Sequence, residues 1–103
     1  MDSVLIRIKR AILARRYRFS GKARDELERD GLDERDAVES IMSALAIQKV
    51  IRSTSPRRQD RREMLYIIIS PTLTGLLIYT KGKLVTEDDQ DVFYFLISCK
   101  RAL

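Results

Sequence analysis

The spacing of the apolar residues changes near the middle of the chain, and this change limits the possible folds more than any other feature. In the first half, Leu5, Ile8 and Ile12 recur at intervals of three and four residues, as on the buried side of a helix. In the second half, β-branched and aromatic residues form short runs such as Ile67-Ile68-Ile69, which favour strands. Helices followed by strands predict an α+β domain, with N-terminal helices packed on a small, mostly antiparallel sheet.

The length of the chain, 103 residues, suits a single domain with one modest core. We expect the helical part to cover about residues 3–47 and the sheet part about residues 49–100. The sequence contains no internal repeat, low-complexity segment or linker that would divide it.

Candidate capping residues divide the helical part into three helices. Residues 3–15 are predicted to form the first, and Ser20 is a candidate N-cap for the second. Gly31 can end the second helix in a left-handed conformation, and Asp33 is a candidate N-cap for the third. The predicted buried face of the third helix consists of Val38, Ile41, Met42 and Leu45.

Turn residues divide the sheet part into strands. A short strand is predicted at 49–53, and a strand buried on both faces at 64–69. The next strand begins at 76 and continues through Gly82, a candidate bulge, to about residue 85. The last clear strand spans 92–99, and turns are predicted at 71–75 and 87–90.

Three features of the sequence limit the kinds of catalysis that this chain can perform. The chain has no histidine, which excludes Ser-His-Asp and Cys-His catalysis and the zinc hydrolases. Its single cysteine, Cys99, cannot form an internal disulfide, which fits a reducing cytoplasm, and we expect it to be a buried strand residue. The sequence has no phosphate loop or dinucleotide fingerprint. We therefore expect any enzymatic activity to use Lys, Arg, Tyr or carboxylate groups, without a cofactor or a metal.

The N-terminus and the lengths of the apolar runs argue against a secretory signal and a membrane segment. The first ten residues carry charges where a secretory signal would be apolar, and no apolar run approaches about 20 residues, so we expect a cytoplasmic protein without a membrane segment.

Four carboxylates lie close together but lack the glycine and the terminal glutamate of a calcium loop; they are Glu87, Asp88, Asp89 and Asp91. We interpret them as a solvated hairpin tip rather than a metal site.

Positive charge is concentrated in two separate segments, and the net charge of the chain is +5. Residues 7–18 contain six basic residues and no acid, and residues 49–62 contain six against Asp60 alone. Most are arginines, whose forked guanidinium group suits phosphate oxygens. A solvated, charge-rich surface is one interpretation, and a surface for a nucleic-acid backbone is the one that we favour. The candidate RNA-binding residues are Lys49, Arg57, Arg58, Arg61 and Arg62.

A second set of basic and phenolic residues is distributed over the predicted strands. Tyr79 and Lys81 lie two residues apart, so they project from the same face of a regular strand. Lys100 ends the last strand, Tyr66 lies on the central strand, and Arg52 precedes the arginine-rich loop. If the last two strands pair as a hairpin, basic and phenolic groups gather on one side. Taken singly, each residue also fits a strand-end charge or a cross-strand aromatic contact.

Short motifs along the chain follow the order found in one family of bacterial toxins. They are Phe19-Ser20-Gly21-Lys22-Ala23, Gly31-Leu32-Asp33, Arg52-Ser53, Glu63-Met64-Leu65-Tyr66, Ser70-Pro71, Gly75, Tyr79-Thr80-Lys81 and Ile97-Ser98-Cys99-Lys100. From about the first helix to Lys100, the chain resembles the motility quorum-sensing regulator (MqsR) family. Its departures include Arg52, where the family often has lysine, and the lack of a tryptophan before the central strand.

The resemblance implies a toxin of the RelE/ParE-type group, with helices packed on a curved, mostly antiparallel sheet. Such proteins cleave messenger RNA and are silenced by a cognate antitoxin protein. The family pattern assigns catalytic roles to Arg52, Tyr66, Tyr79, Lys81 and Lys100.

RNA carries its own nucleophile, the 2′-hydroxyl beside the scissile phosphate. We expect Lys81 and Lys100 to stabilise the attacked phosphate, one of them protonating the leaving oxygen, with Arg52 as a phosphate clamp and Tyr79 as an orienting or proton-transfer group. The alternative is a non-catalytic nucleic-acid-binding or protein-interaction module of the same fold.

Overall fold

The computed structural model describes residues 3–52 and 63–103. Within these ranges the chain forms three helices and one five-stranded sheet, which confirms the predicted α+β class. The helices are α1 (Ser3–Leu13), α2 (Gly21–Arg29) and α3 (Glu34–Ser43). The strands are β1 (Tyr17–Phe19), β2 (Lys49–Arg52), β3 (Met64–Pro71), β4 (Leu77–Glu87) and β5 (Gln90–Arg101).

The strand order in the sheet is β1-β5-β4-β3-β2. Three of the neighbouring pairs are antiparallel, and β1 runs parallel to β5. Strand β1 lies inside the part of the chain for which only helices were predicted. It has three residues, too few for a periodic pattern, and it is a strand because its backbone pairs with the distant β5. The helical part therefore contributes one edge of the sheet.

The predicted capping residues are confirmed. The backbone N–H of Ala23 donates to Ser20 Oγ at 3.0 Å, and Asp33 forms a capping box with Asp36. Gly31 has a φ of +72°, and Leu32 N donates to the carbonyl oxygen of Leu27 at 2.8 Å, as in a left-handed helix end.

The prediction that Leu45 lies on the buried face of the third helix is wrong. Helix α3 ends at Ser43, and the extended backbone of Ala44 turns the chain away from the helical path. The side chain of Leu45 is 93% exposed, and Ala44 takes the buried position beside Ile41.

The hydrophobic core lies between the helices and one face of the sheet. Sheet residues of this core include Phe19, Ile68, Tyr94 and Leu96. They pack with residues of all three helices: Leu5, Ile8, Ile12, Ala23, Leu27, Ala37 and Ile41. We call the face of the sheet that packs against the helices the core face, and the opposite face of the sheet the open face. In the described ranges, none of the helices has the length and apolar character that a membrane-spanning helix needs.

The structure has a β-bulge at Gly82, where the sequence predicted one. The bulge keeps the buried residues of both ends of β5 on the core face. Thr80 pairs with Cys99, whereas Gly82 pairs with Leu96, so β5 has one extra residue between these pairs. The extra residue places Cys99 and Leu96 on the same face although they are three positions apart. A Cβ atom on Gly82 would lie 2.6 Å from Cζ of Tyr94, so this ring passes directly over the glycine.

Candidate nucleic-acid interface

The hairpin of β4 and β5 brings three of the five predicted catalytic residues together on the open face. Tyr79 pairs directly with Lys100, and Lys81 pairs with Ser98. Lys81 and Lys100 are therefore diagonal neighbours, and the Cα atoms of such a pair lie about 7–8 Å apart. The Nζ atom of Lys100 lies 5.2 Å from the centre of the Tyr79 ring. The hairpin thus places two lysines and one tyrosine at neighbouring positions on one face of the sheet.

Neither of these lysines is neutralised by a carboxylate in the part of the chain that the structure describes. Lys100 is exposed and Lys81 is half-buried. Lysines at neighbouring strand positions without acidic partners favour an anion as their ligand, and a phosphate is of suitable size and charge.

The structure does not bring Tyr66 and Arg52 to this group. Tyr66 pairs with Gly82 and packs against the core, on the face opposite to Lys81. Arg52 pairs with Met64, which lies two positions from Tyr66 and so shares its face. Successive residues of a strand alternate between faces, and the sequence alone left open which face of β3 meets the lysines.

Of the candidate RNA-binding residues, Lys49 lies on the open face. It pairs with Ile67, which in turn pairs with Lys81 on the next strand. Two strand spacings separate Lys49 from Lys81, or about 9.5 Å. Lys49 therefore adds an exposed cation to the same surface. The other candidates lie outside the described residues: Arg57, Arg58, Arg61 and Arg62.

The environment of Tyr79 favours its protonated form. Burial raises the pKa of the Tyr79 phenol above its usual value, and the negative charge of Glu26 raises it further. At neutral pH the hydroxyl therefore keeps its proton. It can donate a hydrogen bond to an anionic ligand but does not serve as a base.

Side chains at and around helix α2 hold the end of β5 that carries Lys100. The sequence motifs did not indicate this role. Ser20 Oγ donates to the carbonyl oxygen of Ile97 at 2.9 Å. Further along, Glu26 Oε1 accepts from the backbone N–H of Cys99 at 3.3 Å, and Asp30 Oδ2 accepts from that of Arg101 at 2.9 Å. Side chains of α2 and of its two capping residues, Ser20 and Asp30, thus satisfy backbone groups that an edge strand would leave open.

Glu26 also contacts the open face through Ser98. The hydroxyl of Ser98, which lies opposite Lys81, donates to Glu26 Oε1 at 2.7 Å. A signal for this contact was present in the sequence, because Glu26 lies between Ala23 and Leu27 on the buried side of α2. An acidic residue beside a buried stripe indicates a polar group that needs an acceptor.

Cys99 is fully buried on the core face, as expected for a strand residue. Burial and the nearby negative charges of Glu26 and Glu34 raise the pKa of its thiol to about 12. The thiolate that a nucleophile requires is therefore strongly disfavoured near neutral pH.

The acidic residues near the β4–β5 connection form a hairpin tip, as the sequence predicted. Asp88 and Asp89 have φ values of 51° and 63°, which suit a two-residue hairpin turn. Asp91 forms a two-point ion pair with Arg7, at 2.9 and 2.7 Å, and this hydrogen bonding lowers the pKa of Asp91. The pair links the tip of the hairpin to α1.

An open cleft of about 720 Å³ adjoins the lysine and tyrosine side chains at one end of the face. Tyr79 and Lys100 form part of its wall, together with the apolar side chains of Ile69 and Leu77. The site is therefore an open surface bordered by a depression rather than an enclosed pocket.

The chain matches no protein-family model, no curated protein and no solved structure.

Proposed function

We propose that the protein is an endoribonuclease that cleaves messenger RNA without a metal ion, as the toxin of a bacterial type II toxin–antitoxin system. The observation that carries the proposal is the grouping of Lys81, Lys100 and Tyr79 on one face of the β4–β5 hairpin. The order of helices and strands is also compatible with the RelE/ParE-like architecture that the resemblance to the MqsR family implies. We also propose a cytoplasmic location, because the proposed substrate is messenger RNA.

The proposed reaction uses the 2′-hydroxyl of the RNA as the nucleophile. Its oxygen bonds to phosphorus and passes its proton to a water molecule, while the bond from phosphorus to the 5′-oxygen breaks. The ammonium groups of Lys81 and Lys100 stabilise the negative charge that develops on the phosphate oxygens, and one of them gives a proton to the 5′-oxygen. The protonated phenol of Tyr79 donates a hydrogen bond to the same phosphate.

The roles of the remaining predicted residues change in this proposal. Lys49, across β3 from Lys81, contacts a neighbouring phosphate. Arg52 and Tyr66 project from the other face and take no part in the chemistry. The proposal therefore depends on three catalytic side chains rather than five.

The test is cleavage of a defined single-stranded RNA by the purified protein in EDTA. Lys81→Ala and Lys100→Ala are each expected to lower the rate about 10²–10³-fold, the usual effect of removing a group that stabilises transition-state charge. Lys22→Ala is the matched control, because Lys22 is an exposed lysine of α2, the helix whose Ala23 and Leu27 pack in the core. Equal rates for all four proteins, or loss of cutting on chelation, would refute the proposal.

A second candidate is a module that binds RNA without cutting it. It is favoured by the position of Arg52 and Tyr66, which leaves the five-residue set of the family pattern unassembled. Under this hypothesis RNA remains intact, and binding weakens with salt, with a log–log slope of about −0.7 for each phosphate contact on a single strand. Binding with that slope but with no product would favour the module over the enzyme.

An antitoxin must cover the open face to silence the proposed activity. Because this face carries cations without acidic partners, we propose an acidic segment as the covering element. Expression of the protein alone should arrest growth, and co-expression of the antitoxin should restore it. The purified pair should not cleave RNA.

A further inference from the structure

A pair of phenylalanines lies on the open face, further along the same hairpin. Phe93 and Phe95 are two residues apart on β5, while Tyr94 between them is fully buried in the core. The two rings meet edge to face, with their centres 6.5 Å apart. Both side chains are half-buried, and neither belongs to the core cluster. Two large aromatic side chains that remain partly exposed side by side on an open sheet face form a candidate binding surface.

A basic side chain lies over each of the two rings. The guanidinium carbon of Arg18 lies 4.9 Å from the centre of the Phe93 ring, and Lys83 Nζ lies 5.8 Å from that of Phe95. Arg18 has no acidic partner in the described ranges, whereas Lys83 is paired with Glu63 at 3.2 Å. We call these four residues, Arg18, Phe93, Phe95 and Lys83, the aromatic strip.

The aromatic strip is continuous with the proposed active site. Lys83 follows Lys81 by two residues in β4. Lys83 pairs with Phe95 of β5, and Lys81 pairs with Ser98 of the same strand. Equivalent positions along a strand are about 6.6–6.8 Å apart. One extended ligand can therefore contact both the lysine pair and the two rings.

The alternation of rings and cations points to one kind of ligand. Proteins bind single-stranded nucleic acids by stacking the bases on aromatic side chains while basic groups contact the phosphates. We propose that the aromatic strip binds unpaired bases of the RNA next to the scissile phosphate. This inference rests on the proposed function and adds that the substrate is single-stranded over several nucleotides.

The test separates stacking from simple apolar contact. Phe93→Leu and Phe95→Leu keep an apolar side chain but remove the ring face. Because stacking contributes about 1–3 kcal/mol for each base, each variant should weaken the binding of a labelled single-stranded RNA about 5- to 150-fold. In cleavage assays KM should rise by a similar factor, with kcat unchanged. Leu73→Ala, an exposed apolar position outside the strip, is the control and should behave as wild type.

A duplex of the same sequence hides its bases and provides the second control. We expect its binding to be the same for wild type and the leucine variants, with thermal unfolding confirming that all are folded. Unchanged binding of single strands, or an equal loss for duplex and single strand, would overturn the inference. If wild type does not cleave RNA, the proposed function fails. The binding measurement still decides the role of the strip.

Discussion

Lys100 and Tyr79 face each other across the β4–β5 hairpin, with the Lys100 ammonium 5.2 Å from the centre of the tyrosine ring. An ammonium is attracted to the face of an aromatic ring, so the contact holds the flexible lysine over the open face. The same tyrosine keeps its proton because burial and Glu26 raise its pKa. The pair therefore presents a positioned cation and a hydrogen-bond donor together.

Tyr79→Phe tests the hydroxyl without removing the ring. The variant should keep the contact with Lys100 and lose only the donor. Since a hydrogen bond to a charged group contributes about 1.5–3 kcal/mol, we expect RNA cleavage to fall at least about tenfold. Because the pKa of Tyr79 is raised, the ratio of wild-type to variant rates should stay constant from about pH 6 to about pH 9.

A second tyrosine variant gives the control for this prediction. Tyr79→Leu loses the ring as well, so it should cleave more slowly than Tyr79→Phe. If Tyr79→Phe retains the full wild-type rate, the phenol does not contribute to the reaction.

Glu26→Gln and Glu26→Leu test how α2 holds the end of β5. Glutamine keeps an oxygen that can accept from Ser98 and Cys99, whereas leucine leaves both donors without an acceptor. We expect Glu26→Leu to be less stable than Glu26→Gln by about 1–3 kcal/mol, the cost of unsatisfied buried polar groups. Urea unfolding measures the difference, and amide exchange at Cys99 should be faster in the leucine variant. Equal stability of the two variants would show that Glu26 does not anchor the strand.

Gly82→Ala tests the close approach of the Tyr94 ring. A methyl group at residue 82 would lie 2.6 Å from the ring of Tyr94, which is fully buried in the core. We expect a loss of about 1–3 kcal/mol in the free energy of unfolding, as for other overpacked cores. Gly21→Ala is the control, because nothing lies within 4 Å of its Cβ position. The two alanine variants should differ clearly in their melting temperatures, and identical values would contradict the packing described.

The raised pKa of Cys99 predicts a loss of stability in alkali. The thiol ionises above pH 9.0 in the unfolded chain but only at about pH 12 in the folded protein. Between these values the folded state holds a proton that the unfolded state has released, so stability falls as the pH rises. Cys99→Ala should be less stable near neutral pH and should lose less stability in this range. Urea unfolding from about pH 8 to about pH 11 compares the slopes, and parallel curves would rule out this coupling.

The sequence predicted the parts of the fold that depend on local chemistry. Ser20, Gly31 and Asp33 mark helix ends because each acts on its own backbone neighbourhood. Strand β1 was missed because only its pairing with β5 makes it a strand. Leu45 was misplaced because apolar spacing does not report where a helix stops.

The candidate site divides in the same way. The alternation of side chains along a strand was enough to place Tyr79 and Lys81 on one face. The position of Lys100 depended on the pairing of two strands, and that of Tyr66 on the register between β3 and β4. Such non-local relationships are set by the packing of the whole sheet, and a one-residue difference in register would exchange the faces.

The most direct measurement is to identify the ends of the RNA fragments formed in EDTA. Attack by the 2′-hydroxyl leaves a 2′,3′-cyclic phosphate on one fragment and a 5′-hydroxyl on the other. We expect these ends from wild type and from Lys22→Ala, and none from the double variant Lys81→Ala/Lys100→Ala. Fragments with 5′-phosphate ends, or RNA left intact by the wild-type protein, would contradict the proposal that the lysines of the open face cleave RNA.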